Sequence, residues 1–196
     1  MIRLAVVGDI GAGKSYVAKK FGYPVFNADA EVNKLYAESR KCYKKLKKIL
    51  PKYIISFPVR KKQLSRAIIN NQSNLKKIVK IIHPEVRFKL NYFIKKNKDK
   101  KFIVLDIPLL IENNMNNKKD VLIFVDAKKN EINKRLKKRH GINLEIVKKF
   151  KKLQLPVEHK KKKSNFIIKN NFRNNSVKKN VKKIMEKILL DVRSYT

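Results

Sequence analysis

Apolar residues fall along this chain in two rhythms. The short unbroken runs Leu4-Ala5-Val6-Val7, Phe102-Ile103-Val104-Leu105 and Val121-Leu122-Ile123-Phe124-Val125 have the pattern of strands buried on both faces of a parallel sheet. Elsewhere apolar positions recur at helical spacing: Leu75, Ile78, Val79 and Ile82, then Val86, Leu90 and Phe93, and finally Val177, Val181, Ile184, Met185, Ile188 and Leu189. This pattern predicts strands over residues 2–7, 24–26, 102–105, 121–125 and 166–168. It predicts a first helix over about 14–21 and a helical region over 30–95 broken at Pro51 and Pro58. A new helix is expected to start at Pro84, because proline suits a first turn. A further helical stretch covers 128–163, interrupted at His140-Gly141, and a last helix follows the final strand. There is no internal repeat.

Strands alternating with helices imply an α/β domain with a mainly parallel sheet. Two helical insertions interrupt it, one between the second and third strands and one between the fourth and fifth. Ligands of such sheets bind beyond the carboxyl ends of the strands. That rule gathers the segment after strand one, Asp29, Asp106 and Asp126 near one rim.

The segment after strand one is Gly8-Asp9-Ile10-Gly11-Ala12-Gly13-Lys14-Ser15. It fits the phosphate-loop pattern of a Gly, any residues at the next four positions, then Gly-Lys-Ser/Thr, in the required place between a strand and a helix. Glycines let the backbone curl so that several N–H groups face one anion. Lys14 would reach the β- and γ-phosphates, and the Ser15 hydroxyl would ligate Mg²⁺. The bland alternative is an ordinary Gly-rich turn.

Composition changes the picture in two respects. Lys and Arg number 51 against 15 Asp and Glu, a formal net charge of +36. The cations are spread along the whole chain, not gathered in a tail or stripe. Lys, Asn and Ile all have A/T-rich codons, so compositional bias accounts for the excess better than a dedicated nucleic-acid surface, whose cations cluster. The field still favours polyanionic small substrates. Cys42 is the only cysteine, which excludes an internal disulfide and suits a reducing cytoplasm. No stretch approaches the ~20 apolar residues of a membrane span, and the N-terminus runs straight into a strand instead of a signal peptide.

Carboxylates are scarce enough to weigh singly. Asp29 is either a base for an attacking hydroxyl or the N-cap of the helix that begins after it. Asp106 ends an apolar strand, where it could hold Mg²⁺ directly or through water, or could simply terminate the strand near Pro108. Asp9, at a free position of the loop, and Asp126 are weaker candidates. Arg135 and Arg139 share a helix face and could close over a transferring phosphoryl group, or belong to a solvated basic surface. His83 precedes Pro84 at an expected helix junction, where a lone His is commonly structural. His140 and His159 carry no signal. There is no zinc spacing, no Ser-His-Asp set and no nucleophile elbow.

Taken in order, these pieces resemble the dephospho-coenzyme A kinase family over most of the chain. Gly11-Ala12-Gly13-Lys14-Ser15 resembles its ATP loop. Asn27-Ala28-Asp29 is similar to its Asp-Ala-Asp element, whose second Asp is the base. Ile82-His83-Pro84 resembles the His-Pro element of its acceptor region, and Pro108-Leu109-Leu110-Ile111-Glu112 its Pro-Leu-Leu-x-Glu element. Arg135 and Arg139 match its lid arginines, Gln154 and Lys160 a Gln…Lys/Arg pair, and Phe166-Ile167-Ile168-Lys169-Asn170-Asn171 the segment near its adenine.

The resemblance implies a P-loop kinase-type three-layer fold with a five-stranded sheet, a helical acceptor-binding insertion and a helical lid. The nucleotide-binding core would comprise 1–29, 102–127 and 164–196, the insertion 30–101 and the lid 128–163. It implies transfer from Mg-ATP to the ribose 3′-hydroxyl of dephospho-coenzyme A. Catalysis would fall to Asp29, Lys14, Arg135 and Arg139. Gly8, Gly11, Ala12, Gly13, Lys14, Ser15, Tyr16 and Asn171 would bind nucleotide. His83, Arg87, Pro108, Leu109 and Glu112 would bind the acceptor, and Ser15 with Asp106 would hold the metal. A nucleoside or nucleotide kinase of the same fold, or a basic nucleic-acid-binding P-loop protein, are the alternatives. This chain departs from the family pattern at Tyr16 (commonly Thr), Asn27 (Asp), Ser164-Asn165 (Ala-Asp) and Phe172 (Gly), and its connection from Phe21 to Asp29 is shorter.

Overall fold

A computed structural model describes residues 1–138 and 143–193, with side chains through 190. Five strands form one sheet in the order β2-β3-β1-β4-β5, all neighbours parallel. They are β1 (Ile2–Gly8), β2 (Val25–Asn27), β3 (Phe102–Asp106), β4 (Val121–Asp126) and β5 (Phe166–Lys169). The unbroken apolar runs supply the centre. Leu4, Ala5 and Val6 are fully buried, as are Phe102 through Leu105. Because consecutive strand residues face opposite ways, burial at every position means that helices cover both faces. The edges read differently: β2 has three residues, and β5 leaves Ile167 exposed.

The described residues divide into two compact units. The first gathers those within Met1–Asn27, Asn97–Ile142 and Lys151–Thr196. It holds the sheet, α1 (Lys14–Lys20), α6 (Lys129–Lys138), α8 (Val157–Lys163) and α9 (Asn174–Arg193). α1 packs on β1 and β3, α9 on β5, and α8 on β1 and β4. Val177, Val181, Ile184 and Ile188 form the buried stripe of α9.

The second unit is Ala28–Lys96 with Asn143–Phe150. It contains α2 (Ala28–Glu38), α3 (Arg40–Ile49), α4 (Lys61–Asn70), α5 (Ser73–Lys96) and most of α7 (Leu144–Lys151). α5 is its spine and packs against α2, α3 and α4. Leu75, Ile78, Ile82, Val86 and Leu90 make its buried stripe.

The expected helix start at Pro84 is corrected here: Pro84 lies inside the continuous helix α5. The apolar stripe runs past it without a phase change, so packing overrides the local cost. Pro84 is on the exposed side. The carbonyl of Lys80 therefore loses its helical donor where water can replace it. The second strand also sits one residue later than the pattern predicts, since Pro24 lacks an N–H and serves β3 only as an acceptor, from Val104 N at 2.9 Å. The expected break at His140-Gly141 lies outside the described residues.

Restoring an N–H at position 84 would let it donate to Lys80 O. Pro84→Ala is expected to raise the unfolding free energy by about 1–3 kcal/mol, measured by urea denaturation.

Candidate active site

β1 delivers Gly8 to the carboxyl rim of the sheet, and the chain then turns through Asp9–Gly13 into α1. Gly11 (φ 86) and Gly13 (φ 89) occupy the left-handed region, where side chains are strained. Space is closed to them too. A Cβ on Gly11 would lie 2.9 Å from Ile132 Cγ2, and one on Gly13 2.5 Å from Asn170 Nδ2. Lys14 folds back over the loop, its Nζ donating to Asp9 O at 3.0 Å and Gly8 O at 3.3 Å. Ala12 N donates to Asp9 O at 3.2 Å. The first N–H groups of α1 have no intrahelical acceptor, so loop and helix start together offer donors and one ammonium to an anion. Ser15 is the second residue of α1. The Tyr16 N–H donates to Gly13 O at 3.1 Å and its hydroxyl to Asn174 Oδ1 at 2.6 Å.

One strand over, Asp106 ends β3 and is 2% exposed. Asn27 is its register partner on β2 and donates its amide to Asp106 Oδ2. The Asn27 departure thus places a neutral donor, not a second carboxylate, beside Asp106. Ser15 and Asp106 are oxygen donors, the chemistry that Mg²⁺ takes. Asp126, at the end of β4, has Lys161 Nζ at 3.5 Å.

Beyond β5, the buried residue is Asn170. Its Nδ2 donates to Ala12 O at 2.8 Å, and its Oδ1 accepts from Phe172 N at 2.9 Å. Asn171 is exposed and accepts from Arg173 N at 3.1 Å. The sequence reading names Asn171 as nucleotide-binding; the asparagine that holds the phosphate loop itself is its neighbour Asn170. Phe172 has φ 62, and the Arg135 guanidinium lies 4.3 Å over its ring, a cation–π contact. Arg139 lies outside the described residues.

The turn after β3 carries Pro108, Leu109 and Glu112. Leu109 has φ 57, an uncommon conformation for a branched aliphatic residue. Glu112 Oε1 accepts from Leu155 N at 3.1 Å and faces Lys160 Nζ at 3.3 Å. The Lys160 side chain is 2% exposed. With its amide oriented to suit its neighbours, Gln154 donates to Asp9 Oδ1 at 2.8 Å and accepts from Lys160 Nζ at 3.3 Å. A cavity of about 520 Å³ beside the loop is lined by Asp9, Ala12, Val125, Asp126 and Gln154 among others.

Asp29, His83 and Arg87 belong to the second unit. Asp29 is exposed in the first turn of α2, which starts at Ala28. The N-cap alternative is therefore not realised: Asp29 is already inside the helix. His83 and Arg87 are one turn apart on α5. Burial, with a smaller contribution from the Arg87 charge, holds the His83 imidazole below its usual pKa. Among the described residues no group of three or more His, Cys, Asp or Glu is placed to hold a metal, and no helix is long and apolar enough to cross a membrane.

Known proteins resemble this chain in sequence and in fold. A family model described as dephospho-CoA kinase matches residues 2–177. A dephospho-CoA kinase of Wolbachia pipientis wMel is 32% identical, with 96% of this chain and 98% of that protein covered. One from Thermus thermophilus is 30% identical, over 86% of this chain and 83% of that protein. Among solved structures, TT1252 from Thermus thermophilus is 26% identical with a TM-score of 0.73, covering 97% of each chain. A Campylobacter jejuni dephospho-CoA kinase, 24% identical over 95% of this chain and 96% of that one, shares the fold with a TM-score of 0.63.

Gly13→Ala introduces a methyl against Asn170 at a strained φ. It is expected to weaken ATP binding at least about tenfold, or about 1.4 kcal/mol, by isothermal calorimetry. For His83 the sign is fixed by its lowered pKa. The folded chain binds fewer protons there than the unfolded chain, so stability falls as pH drops below about 6.5 and levels off under the folded pKa. His83→Gln should flatten that part of a stability–pH profile measured by urea melts.

Proposed function

The chain belongs to the dephospho-CoA kinase family, and we infer that it moves the γ-phosphoryl group of ATP onto the ribose 3′-hydroxyl of dephospho-coenzyme A, the step that completes coenzyme A. The observation that carries this is the phosphate loop at the carboxyl end of the central strand, in a chain that matches the family over residues 2–177.

The residues divide the work by their chemistry. The loop amides and Lys14 hold the phosphates, and Lys14 exchanges its contacts with Gly8 O and Asp9 O for phosphate oxygens. Ser15 and Asp106 would be the oxygen donors for Mg²⁺, which would neutralise developing phosphate charge. Asp29 orients the acceptor hydroxyl and takes its proton. In phosphoryl transfer this is chiefly a positioning task. Arg135 and Arg139 stabilise charge on the transferring group. His83 and Arg87, with Pro108, Leu109 and Glu112, serve acceptor recognition. Arg87 is suited to the acceptor's pyrophosphate. The cationic surface favours such a polyanion, and neither a specific nucleic acid nor a membrane partner is required. The single cysteine fits work in the cytoplasm.

A coupled ADP-release assay with dephospho-coenzyme A and a nucleoside panel tests the reading. Turnover should appear with dephospho-coenzyme A; turnover with nucleosides alone would overturn it. Asp29→Asn should lower kcat about 10²–10⁴-fold while ATP affinity, read by calorimetry, stays within about threefold. Near-normal turnover in that variant would remove Asp29 from catalysis.

A further inference from the structure

Gln154 joins the phosphate loop to a buried lysine, Lys160, in the first unit. The contacts run in one alternating line. Leu155 N donates to Glu112 Oε1, which faces Lys160 Nζ; Lys160 faces Gln154 Oε1; Gln154 Nε2 donates to Asp9 Oδ1. Asp9 Oδ1 also accepts from Ile10 N at 2.6 Å. The Asp9 carbonyl accepts from Lys14 Nζ and from Ala12 N. Asp9 is therefore the hub of the phosphate loop, bonded through its side chain on one side and through its carbonyl on the other.

The far end of the line is rigid for a physical reason. A lysine buried to this degree loses several kcal/mol if its carboxylate partner moves away. Lys160 cannot swing out, so Gln154 has a fixed point to hold. Lys151 is the other cation near Asp9, at 4.0 Å from Oδ2 and one-third exposed. That contact is long and screened by solvent, whereas the Gln154 bond is short and directional.

We propose that Gln154 is a positioning residue for nucleotide binding: it ties Asp9, and so the turn of the phosphate loop, to the buried Lys160–Glu112 pair. The proposal rests on the reading that this loop holds the phosphates of ATP. It also gives the Glu112 carboxylate a second task, as the anchor of this line in addition to acceptor recognition.

The polarity of one hydrogen bond provides the test. In Gln154→Glu the new carboxylate still accepts from Lys160 but faces Asp9 as a like charge. The double variant Asp9→Asn/Gln154→Glu restores the bond with donor and acceptor exchanged, at unchanged net charge. ATP dissociation constants from calorimetry should rise about tenfold in the single variant and return to within about threefold of the parent in the double variant. The melting temperature of Gln154→Glu should stay near the parent value, because Lys160 keeps its acceptors. Equal ATP affinity in all three proteins, or a double variant no tighter than the single one, would overturn the proposal. The kinase reading is checked separately, by turnover of dephospho-coenzyme A in the parent, so the two can fail independently.

Discussion

Burial of β1 on both faces between β3 and β4 is the constraint on which the site depends. Leu4, Ala5 and Val6 have no exposure, so the strand cannot slip by a residue without forcing polar neighbours into the sheet. Gly8 is therefore delivered to a fixed point on the rim. A Cβ there would lie 2.8 Å from Val125 O on β4, so the loop begins against its neighbour's backbone. Everything that follows in the loop is constrained in the same manner: Gly11 by Ile132, Gly13 by Asn170. The phosphate loop is less a flexible Gly-rich turn than a backbone path with its walls already in place.

The sheet, its central strands and the loop were legible because each has a local signature. Unbroken apolar runs mark parallel strands, and Gly-Lys-Ser behind one of them marks a phosphate loop. The course of α5 was not legible. Pro84 is a local break signal, and only the uninterrupted stripe from Ile82 to Val86, packed on three helices, shows that the break is not taken. The contact of Asn170 with the loop was not legible for a related reason. Asn170 and Asn171 are both polar and adjacent, and only the path of the chain beyond β5 decides which one reaches Ala12 O. Asp9 carries little weight in the sequence because the loop pattern leaves its position free, whereas its role arises from Gln154, far away along the chain.

The Asn27 departure reads differently once its partner is known. Asn27 and Asp106 are register partners on neighbouring strands. A carboxylate at position 27 would set two like charges together at the buried end of β3, and the amide instead donates to Asp106. Tyr16 is explained as well. Its bulk is directed along α1 to Asn174 on α9, with Lys20 5.0 Å from the ring centroid. The side chain lies on the exposed side of α1, beside α9.

Lys160 has a consequence for how such a chain tolerates its own composition. Among the described residues it is the only buried lysine, although lysine dominates the surface. A drift in codon usage that exchanges polar residues for lysine meets little resistance where the ammonium stays in water. It stops where water does, because an interior ammonium must be met by a carboxylate that is already in place. The protein is thus two texts in one chain. Its surface accepts lysine freely, and its interior is held to a grammar in which one lysine has one Glu112 to answer to.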